Sequence, residues 1–164
     1  MLTFLDPRVA LVNVARSTLW VRETNGANRG EMVDQIVRTT GLDPKGRYPW
    51  CAAWIAYIGR AALGRRGWPL KAYAGVVSLH DEAQRLGVLS QTPTRGAVFL
   101  TYGKAHDGKW RYNHCGVLAE DLGDGRWATV EGNTNDGGSV EGIGVFERTR
   151  TFGPKDRFIH WWDV

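Results

Sequence analysis

The chain has 164 residues, 43% of them hydrophobic and 23% charged, a balance that fits one soluble globular domain and excludes disorder, collagen and coiled coil. Its longest uncharged run, Tyr48 to Gly59, is far short of the roughly 18 to 20 apolar residues that cross a bilayer, so no transmembrane segment is expected. A net charge of +4 favours anionic partners, and two cysteines are too few for a disulfide framework.

The opening MLTFLDPRVALVNVA lacks a basic n-region, and Asp6, Pro7 and Arg8 interrupt its apolar stretch. No secretory leader is expected, and synthesis in the cytoplasm with both thiols free follows. Asp6 and Pro7 form an N-cap and first-turn pair, after which Val9, Val12, Ala15 and Leu19 recur at helical spacing. A second helix is predicted over Glu31 to Thr39, with Met32, Val33, Ile36 and Val37 on one stripe and Gly41 and Pro44 as the stop. A third runs from Trp50 to Leu63 and ends at Gly64; a fourth lies within Val76 to Leu86, before Gly87.

After Pro93 the pattern changes to short apolar runs at Ala97 to Tyr102, Cys115 to Ala119, Trp127 to Val130, Val140 to Phe146 and Phe158 to Trp162, with Asp124 and Gly125 as turn residues. Helices segregated before strands predict an α+β fold, with N-terminal helices packed on a C-terminal antiparallel sheet. One domain over residues 1–164 is expected.

The third helix opens on a thiol. At a helix N-terminus, backbone N–H groups and the positive end of the dipole favour the thiolate of Cys51, although the residue also continues the apolar stripe of Trp54, Ile55 and Ile58 and fits core packing. A nucleophilic thiol needs a base, and that base needs an orienting group. His114 opens the strand Cys115 to Ala119, and the next strand ends in Glu131, Gly132, Asn133. Alternation lets Glu131 and Asn133 point the same way, toward an imidazole on the neighbouring strand. Viewed singly, a satisfied strand histidine, a solvated glutamate and a turn asparagine explain the same residues. Cys115 follows His114 directly and should point to the opposite face, in the core, so it cannot readily bond to Cys51 if His114 faces the thiol. No paired CxxC or HExxH spacing supports zinc, and no strand, glycine loop and helix context supports a phosphate loop around Gly137 and Gly138.

The strings NRGEMVDQIVRTTGL, PWCAAWIAYIGRAA, RGAVFL, HCGVLAE and TVEGNTN resemble the bacterial and phage CHAP family, the cysteine, histidine-dependent amidohydrolases and peptidases, over roughly residues 22–150. That family is related to the NlpC-type wall hydrolases. The resemblance implies a papain-like fold and hydrolysis of a peptidoglycan amide bond, between sugar and stem peptide or within the peptide. It implies Cys51 as nucleophile, His114 as base and then acid, Glu131 as orienter, and Asn133 as a second orienting or polarising group. The match departs from the family in two places. Lys45 and Arg47 follow Asp43 where some members carry a calcium-binding run, and Trp50 stands where many carry glutamine.

The resulting expectation is a monomeric cysteine hydrolase of peptidoglycan with no cofactor and no metal, and without a separate wall-binding domain. It would act at the cell wall or periplasm after delivery by phage lysis, a phage tail or secretion machinery, with a delivery or immunity protein as a further partner. Trp50, Trp110 and Tyr112 are candidates to stack on sugars or line a peptide groove. Two other classes remain open at this point: a wall-binding or phage-assembly module on the same fold in which Cys51 only packs, and a nucleic-acid-binding domain, which no recognised motif supports.

Overall fold

The computed structural model describes residues 6–105, 107–134 and 142–164. Helix α1 spans Pro7–Ser17, α2 Glu31–Arg38, α3 Cys51–Leu63 and α4 Val76–Leu86. The strands are β1 (Leu89–Ser90), β2 (Val98–Lys104), β3 (Trp110–Gly123), β4 (Arg126–Thr134), β5 (Gly144–Thr151) and β6 (Arg157–Ile159). They form one antiparallel sheet in the order β1-β6-β2-β3-β4-β5. The fold is α+β, with N-terminal helices and a C-terminal sheet.

Local chemistry sets the ends of these elements. The Asp6 carboxylate accepts from the Arg8 amide at 2.9 Å, satisfying one of the unpaired N–H groups at the start of α1. Gly87, at φ +74°, stops α4 in the left-handed region that glycine enters at little steric cost. Asp124 (φ +54°) and Gly125 (φ +72°) together make the two-residue turn between β3 and β4, whose positive angles match the twist of the flanking strands.

The strands depart from the predicted runs mainly in length. β3 reaches back to Trp110, because Lys104, Gly103 and Tyr102 of β2 pair with Trp110, Arg111 and Tyr112. Of the run Val140 to Phe146, residues 140 and 141 lie outside the described residues, and β5 carries on to Thr151. The last run stops at Ile159, because the chain then turns Trp161 into the core, where its Nε1 donates to the Gly96 carbonyl at 2.9 Å. The two-residue β1 has too little periodicity to be read from sequence.

The main core joins Leu11, Val12, Val33, Ile36, Trp54, Ile55 and Ile58 of the helices to Val98, Leu100, Cys115, Val117, Val130 and Val145 of one sheet face. A smaller cluster of Ala97, Phe99, Leu118, Trp127 and Phe158 occupies the alternate strand positions. Burying each of the larger aliphatic side chains contributes about 1.5–3 kcal/mol. Trp54 fixes α3 on both sides: its Nε1 donates to Thr18 Oγ1 at 3.1 Å, just past α1, and its ring lies where a Cβ on Gly132 of β4 would come within 2.7 Å. Among the described residues, no helix is long and apolar enough to cross a membrane.

Candidate active site

Cys51 is the first residue of α3, and Trp50 before it provides no side-chain cap. The first intrahelical bond runs from the Trp54 amide to the Trp50 carbonyl, so the N–H groups of residues 51 to 53 have no such bond to make. The thiol therefore sits among free backbone donors at the positive end of a 13-residue helix. It is 3% exposed and opens onto a cavity of about 350 Å³.

His114 lies on β3, fully buried, and its Nε2 meets Glu131 Oε2 at 2.7 Å. The ionised carboxylate accepts this bond, so Nε2 carries the proton and Nδ1 is the nitrogen left for the thiol. Nδ1 has no aligned hydrogen bond among the described residues, yet ring and thiol act on each other's charge. Thiol and ring each shift the other toward its charged form. Burial opposes the imidazolium, but bonding to Cys51 and Glu131 outweighs it and raises the His114 pKa to about 9.

The Cys51 thiol is pushed well below its usual range, above all by a hydrogen bond from Cys115, against burial, and then by His114 and the Ala52 amide. Cys115 is driven the other way, well above its usual range, by burial and by the neighbouring Cys51 sulfur. The two thiols are thus driven in opposite directions, Cys51 toward the thiolate and Cys115 toward the neutral thiol. As the alternation with His114 predicts, Cys115 belongs to the core and forms no disulfide with Cys51. It stays a free thiol, near enough to Cys51, as His114 is, for each to shift the other's titration. The pairing of β2 and β3 slips beside this point: Thr101 faces His114 and Tyr102 faces Tyr112, leaving Asn113 as an extra residue. Such a bulge bends a strand and re-aims its side chains.

Glu131 is wholly buried on β4 and carries more than the histidine. Thr129 Oγ1 donates to Oε1 at 2.6 Å, while Arg150 donates from Nε to Oε1 and from Nη2 to Oε2, the latter at 2.6 Å. Burial alone would raise this acid, but Arg150 and then His114 hold it at about 2. The carboxylate is thereby fixed as an anion between two cations. Neither Arg150 nor Thr129 was foreseen from sequence. Thr129 stands two residues before Glu131 on the same face, a spacing that could have flagged it, whereas Arg150 depends on the β4–β5 register.

Asn133 is also fully buried, but its backbone is left-handed at φ +54° and neither side-chain atom has a hydrogen-bond partner among the described residues. It makes no bond to His114, so the orienting role rests on Glu131 alone. The β4–β5 pairing slips between Glu131 and Thr134, which breaks the alternation expected to aim Glu131 and Asn133 together. Trp50 is a further correction. It is buried and donates to Glu23 Oε1 at 2.9 Å, so it cannot stack on a ligand, whereas Tyr112 lines the cavity and Trp110 is 62% exposed.

No protein-family model, curated protein or solved structure matches this chain. The site itself joins a thiol lowered below its usual range at a cavity mouth, an imidazole raised to about 9 in its company, and a buried carboxylate that holds the ring.

Proposed function

We propose that this chain is a CHAP-like cysteine amidohydrolase or peptidase that cuts an amide bond of peptidoglycan. The observation that carries the reading is Cys51 at the uncapped start of α3, opening onto the cavity and charge-coupled to an imidazole whose other nitrogen is held by Glu131. The substrate class rests on the resemblance in the strings around Cys51, His114 and Glu131, and the net positive charge suits an acidic wall polymer.

In this mechanism the Cys51 thiolate attacks the amide carbonyl carbon, and its π electrons move to oxygen. The free N–H groups at the start of α3 stabilise that oxyanion, the Cys51 amide first. His114 gives its Nδ1 proton to the leaving nitrogen, the C–N bond breaks and a thioester remains. Water then attacks the thioester while the neutral ring takes its proton, and the C–S bond breaks to return thiolate, imidazolium and a carboxylic acid. The sum is amide plus water to acid plus amine.

Purified peptidoglycan tests the reading. The wild-type protein should release new amino termini, or for a sugar-proximal cut free stem peptides, and Cys51→Ala should abolish release while keeping the wild-type circular dichroism. Equal release by both proteins would exclude Cys51 as nucleophile. Tight wall binding without release by either would favour a non-catalytic wall-binding module.

A further inference from the structure

The cavity beside Cys51 is walled mainly by apolar and aromatic side chains, among them Tyr48, Val76, Val77 and Tyr112. Apart from the thiolate itself, Arg111 is the one ionised group lining it among the described residues. Its side chain is 41% exposed, and its Nη1 donates to both carboxylate oxygens of Asp107, at 2.9 and 2.8 Å. Nε and Nη2 make no hydrogen bond among the described residues. A guanidinium satisfied through one terminal nitrogen keeps its Nε–Nη2 edge open, and that edge has the spacing of a carboxylate's two oxygens.

We infer that Arg111 is a specificity-determining residue that receives a substrate carboxylate through its Nε–Nη2 edge, while the apolar walls hold small side chains flanking the scissile amide. This rests on the proposed hydrolase reading for its substrate, an acidic peptide. The site selects against the same peptide carrying a neutral carboxamide, which cannot offer two acceptors and would leave N–H groups of Arg111 unpaired. Asp107 opposes the incoming anion, so the net preference is set by Arg111 against Asp107.

The test separates binding from turnover by using the Cys51→Ala protein, whose fold is checked by circular dichroism, in titration calorimetry. The probes are two synthetic stem peptides, alanine–isoglutamate–lysine–alanine with a blocked C-terminal amide and a free isoglutamate α-carboxylate, and the same peptide with that carboxylate as the carboxamide. The acid should bind at least about tenfold more tightly. In Cys51→Ala/Arg111→Gln the two should bind alike, and in Cys51→Ala/Asp107→Asn the preference should grow. Should Arg111→Gln fail to fold, Arg111→Lys, which keeps charge but lacks the paired edge, should lose most of the discrimination. Equal binding of the two peptides by Cys51→Ala, no binding of either at millimolar concentration, or a preference that survives Arg111→Gln would overturn the inference. A preference that Arg111→Gln removes in a protein whose wild type cleaves nothing would instead uphold this site and refute the hydrolase reading.

Discussion

His114 Nε2 and Glu131 Oε2 stand 2.7 Å apart with both side chains out of contact with water, and Arg150 closes on the same carboxylate from the neighbouring strand. A buried charge of this kind is tolerated because it is paired on both sides, and it weakens sharply when one partner goes. The imidazole consequently has one tautomer and one aim.

The charge state of the thiol–imidazole pair sets the first expectation. With Cys51 well below its usual value and His114 raised to about 9, thiolate and imidazolium coexist at neutral pH. The rate of Cys51 alkylation by iodoacetamide should be flat through neutral pH, and a rate climbing tenfold per unit between pH 7 and 9 would contradict the ion pair. Hydrolysis should fade above about pH 9, where His114 loses the proton that the leaving amine needs.

The same pair fixes the sign of the stability change. The His114 contribution is complete below its unfolded value of 6.5 and declines as pH rises through about 9. The Cys51 contribution runs the other way, growing up to its unfolded value of 9.0. Between those values folded and unfolded chains hold the same number of protons on the pair, so thermal melting should be nearly flat there. Glu131 contributes fully above 4.5 and loses its contribution as pH falls toward 2, so the melting temperature should drop across that acid window. A melting curve level from pH 4.5 to 2 would sink the Glu131 assignment.

Replacing His114 by alanine should lower the hydrolysis rate at least ~10²-fold, because it removes both the base and the acid. Glu131→Gln should reduce the rate less, since it only orients, and Glu131→Ala should be felt more in stability. It strands Arg150 and the ring together, which corresponds to about 3 kcal/mol and a melting temperature lower by about 6 to 12 °C. An unchanged melt would show that the carboxylate is solvated.

Cys115 is expected to act on the nucleophile from behind. Cys115→Ala removes the foremost of the groups that lower Cys51, so the alkylation profile of Cys51 should move to higher pH while Cys115→Ser, which keeps an O–H, moves it less. Coincident profiles for all three proteins would leave Cys115 as packing alone.

Gly132 tests how α3 is held over the site. A methyl there meets the Trp54 ring at 2.7 Å, and overpacking of this sort costs about 1–3 kcal/mol. Gly132→Ala should lower both the melting temperature and the hydrolysis rate, since it pushes Cys51's helix away from the strand that bears Glu131. A variant with wild-type melting would mean that Trp54 repacks freely.

Much of this was legible in the sequence because local rules governed it. Pro7, Gly64 and Gly87 punctuate helices whose apolar stripes are unambiguous, and α4 falls on Val76–Leu86 as its periodicity required. Cys51, His114 and Glu131 could be picked out because Cys51 opens α3 and the other two border apolar runs, although β3 and β4 extend past them. What escaped depended on register and on departures from alternation. Arg150 reaches Glu131 only because Glu131 pairs with Phe146 across β4 and β5. Asn133 lost its expected aim to a slip in the same ladder, and a bulge at Asn113 sits beside His114 that no residue pattern announces.

β5 is the outermost ribbon of the sheet, and on its free side it meets the backbone near Arg22, where the Val145 amide reaches the Val21 carbonyl and the Glu23 amide reaches the Ile143 carbonyl. The guanidinium that secures Glu131 thus hangs from a border stitched down by a short stretch of the amino-terminal half. Fraying of that border would loosen the imidazole without touching the sulfur, so the protein could lose its proton-transfer step while its nucleophile stayed intact.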